Sequence, residues 1–535
     1  MILSLDKAPL PQPRFACLAD MIIAQAQSLG DKAALRFKGR ATSYAALAVQ
    51  SGEVARALRA SGCVAGDRIA YLGKNSDRFY EILLGAARAG VTLTPVNWRL
   101  AMQEVQWILE DADCRLIFTT SDHADDILQL TVQMSKHPPV IVIDGDDEAT
   151  GYDAWWAAGA QSGEVLPDER NPDAIAVQMY TSGTTGRPKG ALLSQRALLA
   201  FRSLPEEAQP EWNRWTQDDV SLIVMPQFHI GGTGFGLQTL CAGATGLVAE
   251  EFSADLVLDA IENQGLSKLF TVPSALQLVM RHPRVREVDY GRIRTIVYGA
   301  SPMPLDVLRE AIDIFQCGFV QQYGMTEMCG TICVLQPEDH EAGGNVRMAS
   351  AGRALAGVEI AIVDPDGKRL ESGENGEIVI RSPTAMTGYW NLPEATAEAF
   401  DAQGFFRSGD AGYLDADGYL FLRDRIKDMI VSGGENVFPA EVENAIHGHP
   451  DVTEVAVIGV PDSLWGEAVK AIVVLRPGAE KDAESIRAWA RRTIAGYKVP
   501  KTVDFIDALP RNSSGKVLRR TLREPYWAGQ DRSVA

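Results

Sequence analysis

Residues 68–96 read RIAYLGKNSDRFYEILLGAARAGVTLTPV, and this stretch decides the expected fold. RIAYLG (68–73) is strand-like. Ser76 can cap a helix that runs through EILLGAARAG and stops at Gly90, where the absence of a Cβ suits a helix end. TLTPV (92–96) follows as a second strand. Strand, helix, strand in this order is a βαβ unit, which pairs its strands in parallel because the helix carries the chain back. On the N-terminal side, residues 45–61 show helical periodicity and stop at Gly62; on the other, QEVQWILEDADCRLIFTT (103–120) repeats the helix–strand rhythm. The expectation is an α/β chain with largely parallel sheets.

The rhythm changes twice further along. Residues 343–430 hold short alternating strands (VEIAIVD, GEIVIRS, GYLFLRD) separated by DPDG, ESGENG and DADG turns, the pattern of a small antiparallel β unit. Beyond about residue 427 come a helix opening at Pro439, the strands TEVAVIGV and AVKAIVVL, the helix ESIRAWARRTI and the strand TVDFI. That set makes a compact α+β domain. No internal repeat or low-complexity tract interrupts the 535 residues.

Composition narrows the function. With 46% hydrophobic and 23% charged residues, the chain is neither disordered nor collagen-like. Its net charge of −19 argues against nucleic acid or an anionic membrane as a partner, while leaving room for a small anion in a locally basic cleft. Seven scattered cysteines without a CxxC pair read as free thiols of a reducing compartment, so a cytoplasmic protein is expected. The apolar N-terminus is broken by Asp6 and Lys7 and does not read as a signal peptide, and no apolar run is long enough for a transmembrane segment. Residues 487–523 carry ten basic residues against Asp504 and Asp507 alone, a local net of +8. Such a run is either a solvated face or a basic lobe that meets a polyphosphate.

The densest chemistry lies in Tyr180-Thr-Ser-Gly-Thr-Thr-Gly-Arg-Pro-Lys-Gly190. Glycines let backbone N–H groups turn toward an anion, the hydroxyls of Thr181, Ser182, Thr184 and Thr185 can donate to phosphate oxygens, and Lys189 supplies a point charge. The stretch is not a GxxxxGK[ST] loop, because Pro188 precedes the lysine and Gly190 follows it. GGTGFG (231–236) likewise misses the GxGxxG dinucleotide pattern. Tyr323-Gly-Met-Thr-Glu327 joins an aromatic that can stack on a base to a carboxylate that can hold Mg²⁺. Asp410 in RSGD can accept both hydroxyls of a ribose, or can be an ordinary turn aspartate.

These stretches resemble the signatures of the adenylate-forming superfamily: acyl-CoA synthetases, nonribosomal adenylation domains and beetle luciferases. The resemblance continues in family order through MPQFHIGG (225–232), VYGASPMP (297–304), QQYGMTE (321–327), GEIVIRSPTAMTGYW (376–390), FFRSGD (405–410), DRIKDMIVSGGENVFPAEVE (424–443) and LPRNSSGK (509–516). It is closest to the fatty-acyl and aryl-CoA ligases. The resemblance implies an α/β multidomain fold: a large N-terminal domain (1–424) of two α/β subdomains plus a small β-barrel-like unit, a hinge at 425–427 centred on Lys427, and a mobile α+β C-terminal domain (428–535). It implies ATP, Mg²⁺, coenzyme A and a small carboxylic acid as ligands, and it is compatible with a homodimer.

By the same resemblance, ATP is held by Thr181, Ser182, Gly183, Thr184, Thr185, Gly186, Lys189, Gly299, Ala300, Ser301, Gln322, Tyr323, Gly324, Thr326, Asp410 and Arg425. Glu327 takes the metal, and Thr326 and Lys516 act on the phosphate. Phe228, His229, Gly232, Gly299, Gly324, Met325 and Gly330 line the acyl pocket. His229 also gates the pantetheine tunnel, which Gly433 and Gly434 line after domain rotation. Several wall residues are small, which predicts a substantial apolar fatty or aryl group; no arginine in these wall segments pairs a second carboxylate, which counts against malonate.

Three other functions compete. An amino-acid adenylating enzyme with a non-CoA acceptor would place an aspartate near FHIGG, and no acid occurs from 225 until Glu250. A luciferase-like oxygenase is weakly opposed by the Ser-Val-Ala terminus. A nucleotide-binding regulator without catalysis sits poorly with intact Lys189, Glu327, Asp410, Arg425 and Lys516.

Overall fold

The structure, a computed structural model, describes residues 11–528 apart from 146, 148–149, 167, 182–186, 302, 342, 426–427, 433–434 and 512–516. The expected βαβ unit is present as strand Arg68–Leu72, helix Arg78–Ala89 and strand Thr92–Val96, with the two strands parallel. The helix start differs in detail from the expectation. Asp77 is the N-cap, its carboxylate accepting from the Arg78 amide at 3.0 Å, and Ser76 Oγ accepts from the same amide at 3.2 Å. Asp77 is also the partner of Arg40 through two bonds of 2.9 and 2.6 Å, which ties this helix end to strand Arg40–Ser43.

Among the described residues the strands form sheets of nine, seven, five and four. The seven-stranded sheet holds the βαβ unit, with parallel pairing through its centre and an antiparallel edge made by Ile175–Thr181, Lys189–Ser194 and Gly388–Tyr389. The nine-stranded sheet is parallel from Ala33–Phe37 through Thr245–Val248, Val220–Ile223, Lys268–Thr271 and Thr295–Gly299 to Gly318–Met325. Antiparallel strands close both of its ends, Arg40–Ser43 at one and Gly330–Leu335 with Arg353–Ala354 at the other.

Helices Leu18–Leu29, Tyr44–Ala60 and Arg78–Ala89 share one core with side chains of both sheets, among them Tyr71 and Met179 from one and Leu35 and Ile332 from the other. Arg78–Ala89 is buried from Phe79 to Ala89, which is why its sequence is apolar almost all the way round. A buried helix cannot leave its polar residues unpaired, and Arg88 is paired with Asp168 at 2.8 Å.

Strands Glu359–Val363, Gly376–Arg381, Phe406–Leu414 and Leu420–Arg425 make the antiparallel unit expected from the turn-rich segment. Asp410 is therefore not a turn aspartate: it lies inside a strand, with its backbone opposite Arg425. The C-terminal part has its own core, drawn from Ile430 onward around strands Val452–Asp462 and Gly466–Leu475. Helix Ala483–Ala490 is shorter than the ESIRAWARRTI run. All seven cysteines are free thiols, and no described helix is long and apolar enough to cross a membrane.

Candidate active site

Parallel strands bring their carboxyl ends to one edge of a sheet, and loops leaving that edge can converge on a ligand. Here the ends of both large sheets meet. Thr181, last in strand Ile175–Thr181, donates to Glu327 Oε1 at 3.2 Å, and Glu327 lies in the turn just after strand Gly318–Met325. Tyr389, from the edge strand of the seven-stranded sheet, donates to the same oxygen at 3.1 Å. The Met386 amide donates to the Glu327 carbonyl at 2.7 Å. Lys189 stands opposite Thr181 in the hairpin, its Nζ 5.1 Å from the centre of the Tyr389 ring. One carboxylate, two hydroxyls, an aromatic face and an ammonium group thus gather at Thr181 and Lys189, where the two hairpin strands end. Tyr389 lies in a motif recognised from the sequence, yet only the fold brings it onto Glu327.

The other face of this cleft is built by the nine-stranded and four-stranded sheets. Tyr323 donates to Asp410 Oδ2 at 2.7 Å; burial, and the carboxylate next, hold its hydroxyl well above the usual phenol range. Thr331 donates to Gln322 Oε1 at 2.8 Å. Gly299 and Gly324 are dictated by close packing: a Cβ would fall 2.4 Å from the Gln322 carbonyl oxygen in the first case and 1.9 Å from that of Gly330 in the second. Ala300, exposed just past strand Thr295–Gly299, holds a left-handed backbone with φ +66, a conformation costly for a residue with a Cβ and concentrated at functional sites. Ser301 follows it, partly exposed.

Phe228 and His229 lead into helix Ile230–Ala242, with His229 at its N-cap position and Gly232 in its first turn. Phe228 is buried with its ring centre 4.7 Å from that of His229. Burial, with the Arg99 charge second, pushes His229 down to about 4, so the imidazole is neutral near pH 7. The glycines of this helix have steric reasons. Cβ atoms at Gly232, Gly234 and Gly236 would run into the Pro226 carbonyl, the Arg202 guanidinium and the Tyr80 hydroxyl, and one at Gly231 into the Phe270 ring. Met325 stands opposite Gly330 across the antiparallel pair, and both keep accessible surface. Arg202, absent from the sequence-derived pocket, lies beside Gly234 and Gly330. No motif surrounds it, and its place is set by a turn after helix Gln195–Leu199.

Ser182, Gly183, Thr184, Thr185, Gly186, Lys427, Gly433, Gly434 and Lys516 lie outside the described residues, as does the Arg425 side chain. The basic segment 487–523 is less positive in space than along the chain. Six of its ten cations (Arg487, Lys498, Arg511, Arg519, Arg520 and Arg523) pair with carboxylates that lie outside the segment. Among the described residues no group of three or more His, Cys, Asp or Glu side chains is placed to hold a metal. Among the described residues, the carboxylate that lies beside Thr181 and Lys189 and could hold a cation is that of Glu327.

The carboxyl ends of strands from two largely parallel sheets, joined at Glu327 by the Thr181 and Tyr389 hydroxyls and flanked by the Tyr323–Asp410 pair, make a polar site of the kind that handles a nucleotide. Residues 22–390 match the AMP-binding enzyme family and residues 441–516 its C-terminal domain, so the chain belongs to this family and thereby to the adenylate-forming superfamily. Its relatives place it in the acyl-CoA synthetase branch. It is 39% identical over 526 residues (98% of this chain, 99% of the relative) to a fatty acid–[acyl-carrier-protein] ligase of Streptomyces coeruleorubidus. It is 38% identical over 495 residues (92% and 96%) to a feruloyl-CoA synthase of an Amycolatopsis species. Among solved structures, ATP-bound MatB from Rhodopseudomonas palustris superimposes with a TM-score of 0.84 at 31% identity, over 95% of this chain and 99% of that one.

Proposed function

We propose that this enzyme is an AMP-forming carboxylate–CoA ligase acting on a medium- or long-chain fatty acid or an aryl or phenylpropenoic acid. The observation that carries this is the Glu327 carboxylate held by Thr181 and Tyr389, beside Lys189 at the end of the hairpin strands. In the first step a substrate carboxylate oxygen attacks the α-phosphorus of ATP; the bond to the pyrophosphate oxygen breaks and an acyl-adenylate forms. No protein nucleophile is needed, so catalysis is positioning and charge neutralisation. Lys189 and the loop hydroxyls hold the phosphates, Tyr323 and Asp410 hold adenine and ribose, and Lys516 neutralises charge at the α-phosphate. Mg²⁺ supplies further charge neutralisation when bound, with Glu327 as its protein ligand.

In the second step the CoA thiol attacks the acyl carbon, the acyl–phosphate bond breaks, and AMP leaves. We assign the domain that binds ATP and the acyl substrate to residues 1–424, the hinge to 425–427 and the rotating part, which brings Lys516 to the first step, to 428–535; the separate core beyond Ile430 supports the division. Gly433 and Gly434 then line the pantetheine path, and the neutral His229 gates it. The seven free cysteines support a reducing, cytoplasmic setting.

A second reading has the thiol supplied by the phosphopantetheine arm of a carrier protein, and the 39% identity to an acyl-carrier-protein ligase favours it. A panel of carboxylic acids assayed for ATP–pyrophosphate exchange, then for thioester with CoA or with a loaded carrier protein, tests both. Thioester with CoA supports the ligase. Thioester with the carrier alone moves the acceptor, and no exchange with any acid sinks adenylation itself.

A further inference from the structure

The guanidinium of Arg202 is surrounded by protein and bonded only to carbonyls. Nε donates to Gly234 at 3.0 Å, Nη1 to Leu198 at 2.7 Å and Nη2 to Cys329 at 2.7 Å. A guanidinium has five N–H donors, so two remain along with the whole positive charge. Among the described residues no carboxylate lies within ion-pair distance of it, and burial is the main influence on its titration. A largely buried cation without a counter-ion carries a desolvation penalty that tying one turn to its neighbours does not require. Three carbonyl bonds account for the turn and leave the charge unexplained.

This group lies beside Gly330 and Gly234, close to residues assigned above to the acyl pocket. A Cβ on Gly330 would stand 3.1 Å from Arg202 Nη2 and 3.7 Å from Ile230 Cγ1, so it is the bare glycine that leaves this side of the guanidinium uncovered by a side chain. Gly330 has φ +112 and stands opposite Met325, the residue before Thr326 and Glu327. Arg202, Ile230, Met325 and Gly330 all keep accessible surface, so a ligand can reach them.

We propose that Arg202 is a specificity-determining binding residue: its remaining N–H groups receive an oxygen acceptor carried by the substrate acid at the end remote from the carboxylate that is activated. This rests on the ligase reading above and narrows its substrate class. The acid is an aryl acid with a phenolic oxygen or an acid with a second carboxylate, rather than a plain hydrocarbon acid. Either oxygen supplies what the guanidinium lacks, and an apolar terminus would leave it desolvated and unpaired.

The test is ATP–pyrophosphate exchange with three acids of matched length, one ending in hydrocarbon, one in a phenol and one in a carboxylate, on the full chain and on Arg202→Met and Arg202→Lys. In the unaltered enzyme kcat/KM should favour at least one oxygen-bearing acid over the hydrocarbon acid by roughly tenfold or more, and the favoured arm identifies the source. Arg202→Met should collapse that ratio through the KM for the acid and leave the KM for ATP in place, while Arg202→Lys should keep part of it. A ratio near one in the unaltered enzyme overturns the proposal, and does so even if Arg202→Met fails to fold. A ratio that survives Arg202→Met overturns it as well. Exchange with none of the acids would instead count against adenylation.

Discussion

The Tyr323 hydroxyl donates to Asp410 Oδ2 at 2.7 Å, a bond that joins the nine-stranded sheet to the four-stranded sheet. If the pair shapes the adenosine site, its loss should appear in nucleotide binding before it appears in chemistry. Tyr323→Phe removes a hydrogen bond to a charged acceptor, worth about 1.5–3 kcal/mol. We expect the KM for ATP to rise by roughly tenfold, with kcat at saturating ATP changing far less. Asp410→Asn should raise the KM for ATP further, because the ribose loses its acceptor too. Steady-state kinetics with varied ATP decide this, and an unchanged KM in both variants would remove the pair from the nucleotide site.

Glu327 Oε1 accepts from both Thr181 and Tyr389, so the carboxylate is fixed by donors from the other sheet. Glu327→Gln should lower the adenylation rate by about 100-fold, the scale of losing one charge beside a transferring phosphoryl group, and should shift the Mg²⁺ dependence of pyrophosphate exchange to higher concentration. Tyr389→Phe keeps the charge and loosens its holder, so a loss of about tenfold or less is expected. If Glu327→Gln leaves the Mg²⁺ dependence where it was, the carboxylate does not meet the metal.

The two half-reactions should separate by mutation. Lys516→Ala should reduce adenylation by roughly 100- to 1,000-fold yet still convert supplied acyl-adenylate and CoA to thioester. Gly434→Trp should spare pyrophosphate release and block thioester formation, because a large side chain would fill the pantetheine path. Equal losses in both half-reactions for either variant would contradict the role assigned to it.

Much of this molecule is legible along the chain because local pattern controls local structure. The alternation of apolar runs and Gly stops places Arg68–Leu72, Arg78–Ala89 and Thr92–Val96 within a residue or two, since periodicity and end residues are short-range properties. What stays hidden depends on partners far away in sequence. Asp410 looks like a turn residue until its strand finds Gly376–Arg381 and Leu420–Arg425 on either side. The +8 of residues 487–523 is a property of a window: Lys498 meets Glu441 at 2.6 Å and Arg519 meets Glu443 at 2.8 Å, acids more than fifty positions upstream. Arg202 carries no signal at all, because a lone arginine in a turn gives no hint that Gly234 and Cys329 will close around it.

His229 offers the pH test. Its ordinary value is near 6.5, and burial brings it to about 4 in the folded protein. Between those values the unfolded chain binds a proton that the folded one refuses, so acidification favours unfolding there. The contribution is fully present above pH 6.5, declines as the pH falls toward 4, and changes no further below that. Between pH 7.5 and pH 5 the loss should be about 2 kcal/mol from this residue. Urea unfolding at the two pH values should therefore show a smaller drop for His229→Gln than for the unaltered enzyme. The same neutrality predicts that the His229 ring shows no NMR titration above pH 5. A midpoint near 6.5 would mean that the imidazole is open to water and that its gate position in the cleft is wrongly assigned.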